Sequence, residues 1–175
     1  WLPEAKSVIA CFLPFTQEIK KANAADLSTP ADEWLHGRIE GQEMVAIFGA
    51  YLRDKLIEAG YDTVLPCTDA RFKMLETYKS NWSERHTAYI CGLGTFGMSK
   101  GLITAKGIAG RFCSVITTAQ LPITKRQYSG LYDYCTRCGQ CAKNCPVEAI
   151  DAACDLNMAK KHEPCDGFVY STNGL

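Results

Sequence analysis

Residues 135–146 read CTRCGQCAKNCP, a C-x-x-C-x-x-C-x-x-x-C-P run holding Cys135, Cys138, Cys141 and Cys145. Two-residue gaps let a tight loop wrap a small body with sulfurs inward and backbone amides turned toward it, the arrangement that a four-iron, four-sulfur cubane needs. The run therefore decides the fold of its end of the chain, a small module that holds a cluster. Pro146 turns the chain away, and Val147 to Ile150 is expected to open a short helix. Zinc is the main competitor for the same cysteines, but a four-cysteine zinc site normally uses two Cys-x-x-Cys pairs separated by a longer loop.

Counting ligands leaves an open choice. In two-cluster ferredoxin modules the fourth cysteine of such a run ligates the other cluster. Two clusters take about eight thiolates, whereas this part of the chain supplies the four above plus Cys154 and Cys165. Either there is one cluster, or a second cysteine group lies beyond Leu175, or cysteines of the preceding body join in. Cys11, Cys67, Cys91 and Cys113 sit in or beside apolar, strand-like segments, where a cysteine usually serves as a small buried hydrophobe. The four cysteines crowded into residues 135–145 suit metal binding better than a disulfide framework, and so indicate a reducing, cytoplasmic setting.

Working outward, the texture changes near residue 128, which predicts a body over 1–127 and the iron-sulfur module over 128–175. In the body, Ser7 to Leu13 (SVIACFL) reads as a buried strand stopped by Pro14. Thr29-Pro30 followed by Asp32 and Glu33 looks like a helix start. Met44, Val45, Ile47, Phe48, Tyr51, Leu52, Leu56 and Ile57 fall on one helical stripe closed by Gly60. Tyr61 to Leu65 reads as a second strand, Asp69 to Lys79 as a further helix, and Arg111 to Thr118 (RFCSVITT) as a third strand. A glycine-punctuated loop is expected from Gly92 to Gly110. The whole predicts an α/β body.

Within that loop, residues 92–97 (GLGTFG) match G-x-G-x-x-G. A dinucleotide fingerprint also needs a strand before it and an acidic residue about 20 positions later. The preceding segment, SERHTAYIC, reads as a helix, and no Asp or Glu occurs between Glu84 and Asp133. The interval instead holds Lys100, Lys106, Arg111, Lys125 and Arg126. Free amides beside cations suit an anionic ligand, such as a flavin phosphate, a corrinoid tail or a nucleic acid, and a tight turn under a solvated basic face is the alternative. His86 and His162 receive no role.

The chain has 175 residues, 47% of them apolar, with 19 basic and 19 acidic side chains. That is enough for one full domain with an appendage, and the balanced charge argues neither for nor against nucleic acid. No apolar run approaches the roughly 18 residues of a membrane span, and no signal-peptide pattern opens the chain. A start at Trp1 rather than Met, and an end shortly after Cys165, suggest a segment of a longer reading frame.

Taken together, WSERHTAYICGLGTFGMSKGLIT (82–104), RFCSVITT, the cysteine run, SVIACFLPF and the Met44 helix resemble the iron-sulfur proteins related to epoxyqueuosine reductase and, more distantly, reductive dehalogenases. The resemblance implies an α+β sandwich of the cobalamin-reductase-like kind that cradles cobalamin, followed by a ferredoxin-like module that feeds it electrons. Glu84 and Arg85 match the family's Glu-Arg pair. Gly92, Leu93, Gly94 and Gly97 match its loop beside the corrinoid. Tyr78 stands where the queuosine enzymes have an acidic proton donor, and dehalogenases use a tyrosine. His162-Glu163-Pro164-Cys165 resembles the beginning of the family's second cysteine group, while Cys154 has no match.

On that basis Cys135, Cys138 and Cys141 are ligands of the first cluster, and Cys145 reaches toward a second with Cys165 as its companion. The implied partners are an electron donor protein and a small-molecule or tRNA substrate. The expected activity is a redox enzyme of this kind, with a non-catalytic electron carrier or cluster-bearing subunit as the alternative.

Overall fold

A computed structural model describes residues 1–171. Strand β1 (Ser7–Pro14) is followed by helices α1 (Gln17–Ala25) and α2 (Asp32–Glu58) and the short strand β2 (Thr63–Val64). Long strand β7 (Gly110–Thr117) lies between β1 and β2 and pairs antiparallel with both. The β1–α2–β2 crossover thus has a strand inserted at its centre, a split β-α-β arrangement. The architecture mixes helices with an antiparallel sheet.

The apolar runs explain why these two strands dominate. The second half of β7 is continuously buried, with Val115 1% exposed. Its buried hydroxyls are satisfied internally: Thr63 Oγ1 donates to Thr117 Oγ1 at 3.0 Å, and Trp82 Nε1 donates to Ser114 Oγ at 3.1 Å. Such pairing is what makes a polar side chain tolerable in a core. Helix α2 packs on one side of the sheet, and helix α3 (Glu84–Ile90) on the other, contributing Ala88 to a core with Phe96 and Leu102.

The strands at 7–13 and 111–118 and the 84–90 helix are found where the sequence places them. Helix α2 contains the Met44 stripe but is longer, and it starts at Asp32 with no side-chain cap. Asn23 Oδ1 accepts the Ala31 N–H at 3.2 Å, a partner the Thr29-Pro30 reading did not supply. Of the stripe, Val45 is buried, whereas Met44, Ile47, Phe48 and Tyr51 are exposed. Helix α1, capped by Thr16, lies between Pro14 and Thr29, where the sequence reading set out no element.

Gly60 follows the C-cap with φ +88°, and the Tyr61 N–H reaches back to the Leu56 carbonyl at 3.0 Å, the reversal that closes many helices. A Cβ at Gly60 would meet nothing within 4 Å. Gly60→Ala is therefore expected to lose about 1 kcal/mol, purely from the left-handed backbone, as a lower urea midpoint with unchanged slope.

Three sequence expectations are corrected. Residues 69–79 do not form a helix; they lead into the hairpin β3 (Met74–Glu76) and β4 (Lys79–Ser80). Asp69 binds the Arg71 amide and guanidinium at 2.7–2.9 Å, and Asn81 holds the Lys73 amide and Arg71 carbonyl. These short side chains take the backbone groups that a helix would have used. The 92–110 segment is not an open loop, because β5 (Gly94–Phe96) pairs with β6 (Leu102–Thr104). Residues 147–150 do not open a helix: the Glu148 N–H turns back to the Cys145 carbonyl at 3.2 Å with Glu148 at φ +48°, and Ile150 bridges to Lys160.

Candidate iron-sulfur site

The cysteine run is shaped by two left-handed residues, Arg137 at φ +55° and Gly139 at φ +72°. They bend the chain between Cys135 and Cys141 and open the single-turn helix α4 (Gln140–Lys143). All four cysteines are free thiols, three of them half-buried and Cys138 exposed. Cys135 and Cys141 pack against a small core made by Met98, Leu156 and Ala159.

Backbone amides point at the sulfurs. The Ala149 N–H donates to Cys145 Sγ at 3.3 Å. Cys138 is drawn below its ordinary value by the Gln140 amide, helped by the Thr136 hydroxyl and its own N–H. Burial pushes the Cys141 thiol up against the pull of the Ala142 amide, and Cys135 and Cys138 lie near enough to add to the rise. The chemistry of this donor set fits a cubane: four cysteines on one tight turn, an apolar floor, and N–H groups directed at sulfur, which are features that tune such clusters. Among the described residues, no three His, Cys, Asp or Glu side chains are gathered closely enough to hold a single metal ion.

The run is joined directly to the body. The Phe96 N–H donates to the Leu131 carbonyl at 2.8 Å, and the Tyr134 N–H to Thr95 Oγ1 at 2.9 Å. Tyr128 stacks on Tyr89 and hydrogen-bonds its carbonyl. Lys100 is the central tie. Its Nζ donates to the Leu156 carbonyl at 2.6 Å, the Asn157 carbonyl at 3.0 Å and the Tyr132 hydroxyl at 3.0 Å. The sequence places Lys100 in a basic strip suited to an anionic ligand, with a solvated face as the alternative, and does not single out Met98, because neither spacing nor composition reveals which distant carbonyls a lysine will serve.

Lys100→Met keeps the stem and removes these donors, so it is expected to lose about 2–4 kcal/mol and to shed iron faster on exposure to air. Chemical denaturation and timed iron release would check it.

The other sequence-derived positions are scattered. Cys154 is exposed and its thiol donates to Asp151 Oδ2 at 3.0 Å, which holds the proton on sulfur. Cys165 lies half-buried on helix α5 (Glu163–Ser171). A cavity of about 170 Å³ lined by Asn144, Pro146 and Phe168 puts α5 beside the end of the run. Tyr78 sits at the tip of the β3–β4 hairpin at φ +64°, stacked on His162 with ring centres 5.0 Å apart. Its phenol is pushed above its ordinary value by desolvation and by nearby Asp166 and Glu163.

Glu84 Oε1 accepts from Cys67 Sγ and Trp82 Nε1, while its buried Oε2 has no partner in the protein. Arg85 donates to the Lys100 carbonyl at 2.9 Å.

The glycine positions are filled by the chain itself. Gly92 ends α3 at φ +93° with Arg126 and Thr124 packed over it, and Gly94 lies against the backbone of Ile103. Gly97 faces the Ile103 side chain, and Leu93 packs into the Ala88 core. These clearances are used for internal packing, so the four residues do not fit the open cradle that a corrinoid would need. Of the basic strip, Lys100 and Arg111 are spent on internal carbonyls, Arg111 on that of Arg38. Among the described residues no helix is long and apolar enough to cross a membrane.

A comparison with curated proteins finds no match. Residues 131–151 match the family model of the 4Fe-4S binding domain, a segment holding all four cysteines of the run and the Tyr132 and Ile150 that pack beside them. The chain thus carries a 4Fe-4S binding domain, built on the floor that Met98, Leu156 and Ala159 provide.

Proposed function

We propose that this chain is an iron-sulfur redox protein related to epoxyqueuosine reductase, whose cluster passes single electrons into the body through the contact centred on Met98 and Lys100. The observation that carries this reading is the shared core: Cys135 and Cys141 lie on Met98, and Lys100 ties the same segment to 156–157. Electron transfer needs a short, packed path, and this contact supplies one between the cluster ligands and the β5–β6 hairpin. Cys135, Cys138, Cys141 and Cys145 hold iron, and Cys165 on α5 is the companion of Cys145 for a second cluster. Tyr78, its proton held by desolvation and by neighbouring acids, is the candidate proton donor to a bound substrate. An electron donor protein in the cytoplasm reduces the cluster, and the substrate is a small molecule or a tRNA.

A non-catalytic carrier is the second reading, and the filled glycine positions favour it. Anaerobically reconstituted protein should absorb broadly at about 400 nm and bleach on reduction. Colourless protein with stoichiometric zinc overturns both readings. Cobalt or flavin retained by the folded protein selects the enzyme, and binding of neither selects the carrier.

A further inference from the structure

Away from the cysteine run, the sheet brings two other cysteines together. Cys11 of β1 and Cys113 of β7 are direct partners in the antiparallel register. Such partners have Cα atoms about 4.5–5.5 Å apart, inside the roughly 4.4–6.8 Å that a disulfide spans. Opposed residues also project from the same face of a sheet. Both line one apolar cavity of about 370 Å³, walled by Phe12, Met44, Val45 and Phe48. Both are free thiols, and Cys113 hydrogen-bonds Cys11. The cavity is reached past Met44 and Phe48, which are 54% and 45% exposed, and Cys113 behind it is 6% exposed.

We propose that Cys11 and Cys113 form a redox-active cross-strand dithiol that exchanges with small-molecule disulfides entering the cavity beside Met44 and Phe48. The Cys11 thiolate attacks one sulfur of an external disulfide RSSR. The Cys11–S–S–R bond forms as the RS–SR bond breaks, and RS⁻ leaves and takes a proton. The Cys113 thiol then gives up its proton and its sulfur attacks Cys11 Sγ, forming the Cys11–Cys113 bond and releasing the second RS⁻. The two protein thiols lose two electrons and two protons, and RSSR becomes two RSH. The residues lining the cavity are apolar apart from the two cysteines, and the strand ladder holds both backbones so that only side-chain rotation is needed.

The roles of the two sulfurs differ. The Cys113 S–H donates to Cys11 and holds the Cys11 thiol down to about 7, outweighing burial and the Glu84 charge. The same contact and burial push Cys113 well up. A thiol with a pKa near ambient pH is the better attacker. Cys67, by contrast, donates a hydrogen bond to Glu84 and is pushed up to about 12, chiefly by burial, and Cys91 donates to the Val8 carbonyl. Neither has an opposed cysteine in the strand register.

The exchange takes no electron from the cluster, so it stands or falls separately from the electron-transfer reading. Cluster-loaded protein would be held in glutathione mixtures from reduced to oxidised and quenched with acid. Free thiols would be alkylated with a light reagent, the protein then reduced and alkylated with a heavy one, and peptides mapped. Cys11 and Cys113 should take the heavy label together over one glutathione range, with a Cys11–Cys113 linked peptide in the unreduced digest. In Cys113→Ser, and in Cys113→Ala as a second variant, Cys11 should retain one glutathione. Light label on both cysteines at every mixture overturns the proposal. So does heavy label on Cys11 in the unsubstituted protein without a linked peptide.

Discussion

Replacing Cys141 with serine is expected to empty the first cluster's site: about four irons per chain should be lost, and the absorbance at about 400 nm should fall in proportion. Cys141 occupies α4, whose start depends on Gly139 in the left-handed region, and its sulfur is half-buried over Met98, Leu156 and Ala159. A serine hydroxyl there stays protonated at neutral pH and is a poor ligand for iron, so the remaining cysteines hold a cubane from one side only. The loss should extend beyond spectroscopy. Amides of 131–151 should exchange faster in Cys141→Ser, because the cluster is the body round which that segment turns and its own apolar floor is small. Cys154→Ser serves as the comparison. Its thiol is exposed and engaged with Asp151, so full iron content is expected. Iron content in Cys141→Ser equal to that of the unsubstituted protein would remove Cys141 from the ligand set.

The contrast between these two cysteines shows what a sequence can carry. Spacing alone identified the run, because the ligand geometry of a cubane is encoded within twelve consecutive residues. β1, β7 and the Met44 helix were equally legible, since each is a continuous apolar run or a helical stripe. The floor beneath the run was not, because Met98 meets Leu156 and Ala159 only after the chain has closed on itself. The β5–β6 hairpin was hidden for a related reason. Its strands have three residues each, too few for a period, and its glycines invited a ligand-binding explanation. The 69–79 helix failed because the side chains of Asp69, at its expected start, and Asn81, beyond its expected end, took its backbone groups. Cys11 and Cys113 were visible as residues, but their opposition depends on register, which no local pattern states.

Gly94→Ala separates two explanations of the glycine segment, and the expected loss is large, about 4 kcal/mol or more, in protein carrying no added cofactor. A Cβ at Gly94 would lie 2.8 Å from the Ile103 carbonyl carbon and closer still to its oxygen. Both are backbone atoms of the paired strand, and neither can move without breaking the Gly94–Thr104 register. Opening that hairpin exposes Thr95, Phe96 and Leu102, which are 0%, 5% and 1% exposed, and detaches the Leu131 and Tyr134 contacts that seat the cysteine run. For a domain with a typical total stability of about 5–15 kcal/mol, such a loss approaches unfolding. Gly97→Ala supplies the contrast, since its nearest neighbour is the flexible Ile103 Cδ1 at 3.1 Å, which can yield at a loss of about 1 kcal/mol. A glycine kept only so that a cofactor can approach would behave otherwise. Either alanine would then leave the cofactor-free protein as stable as before, and the damage would be confined to binding. Denaturation midpoints of the two variants, measured without corrinoid or flavin, therefore decide whether Gly94 serves the β5–β6 pairing.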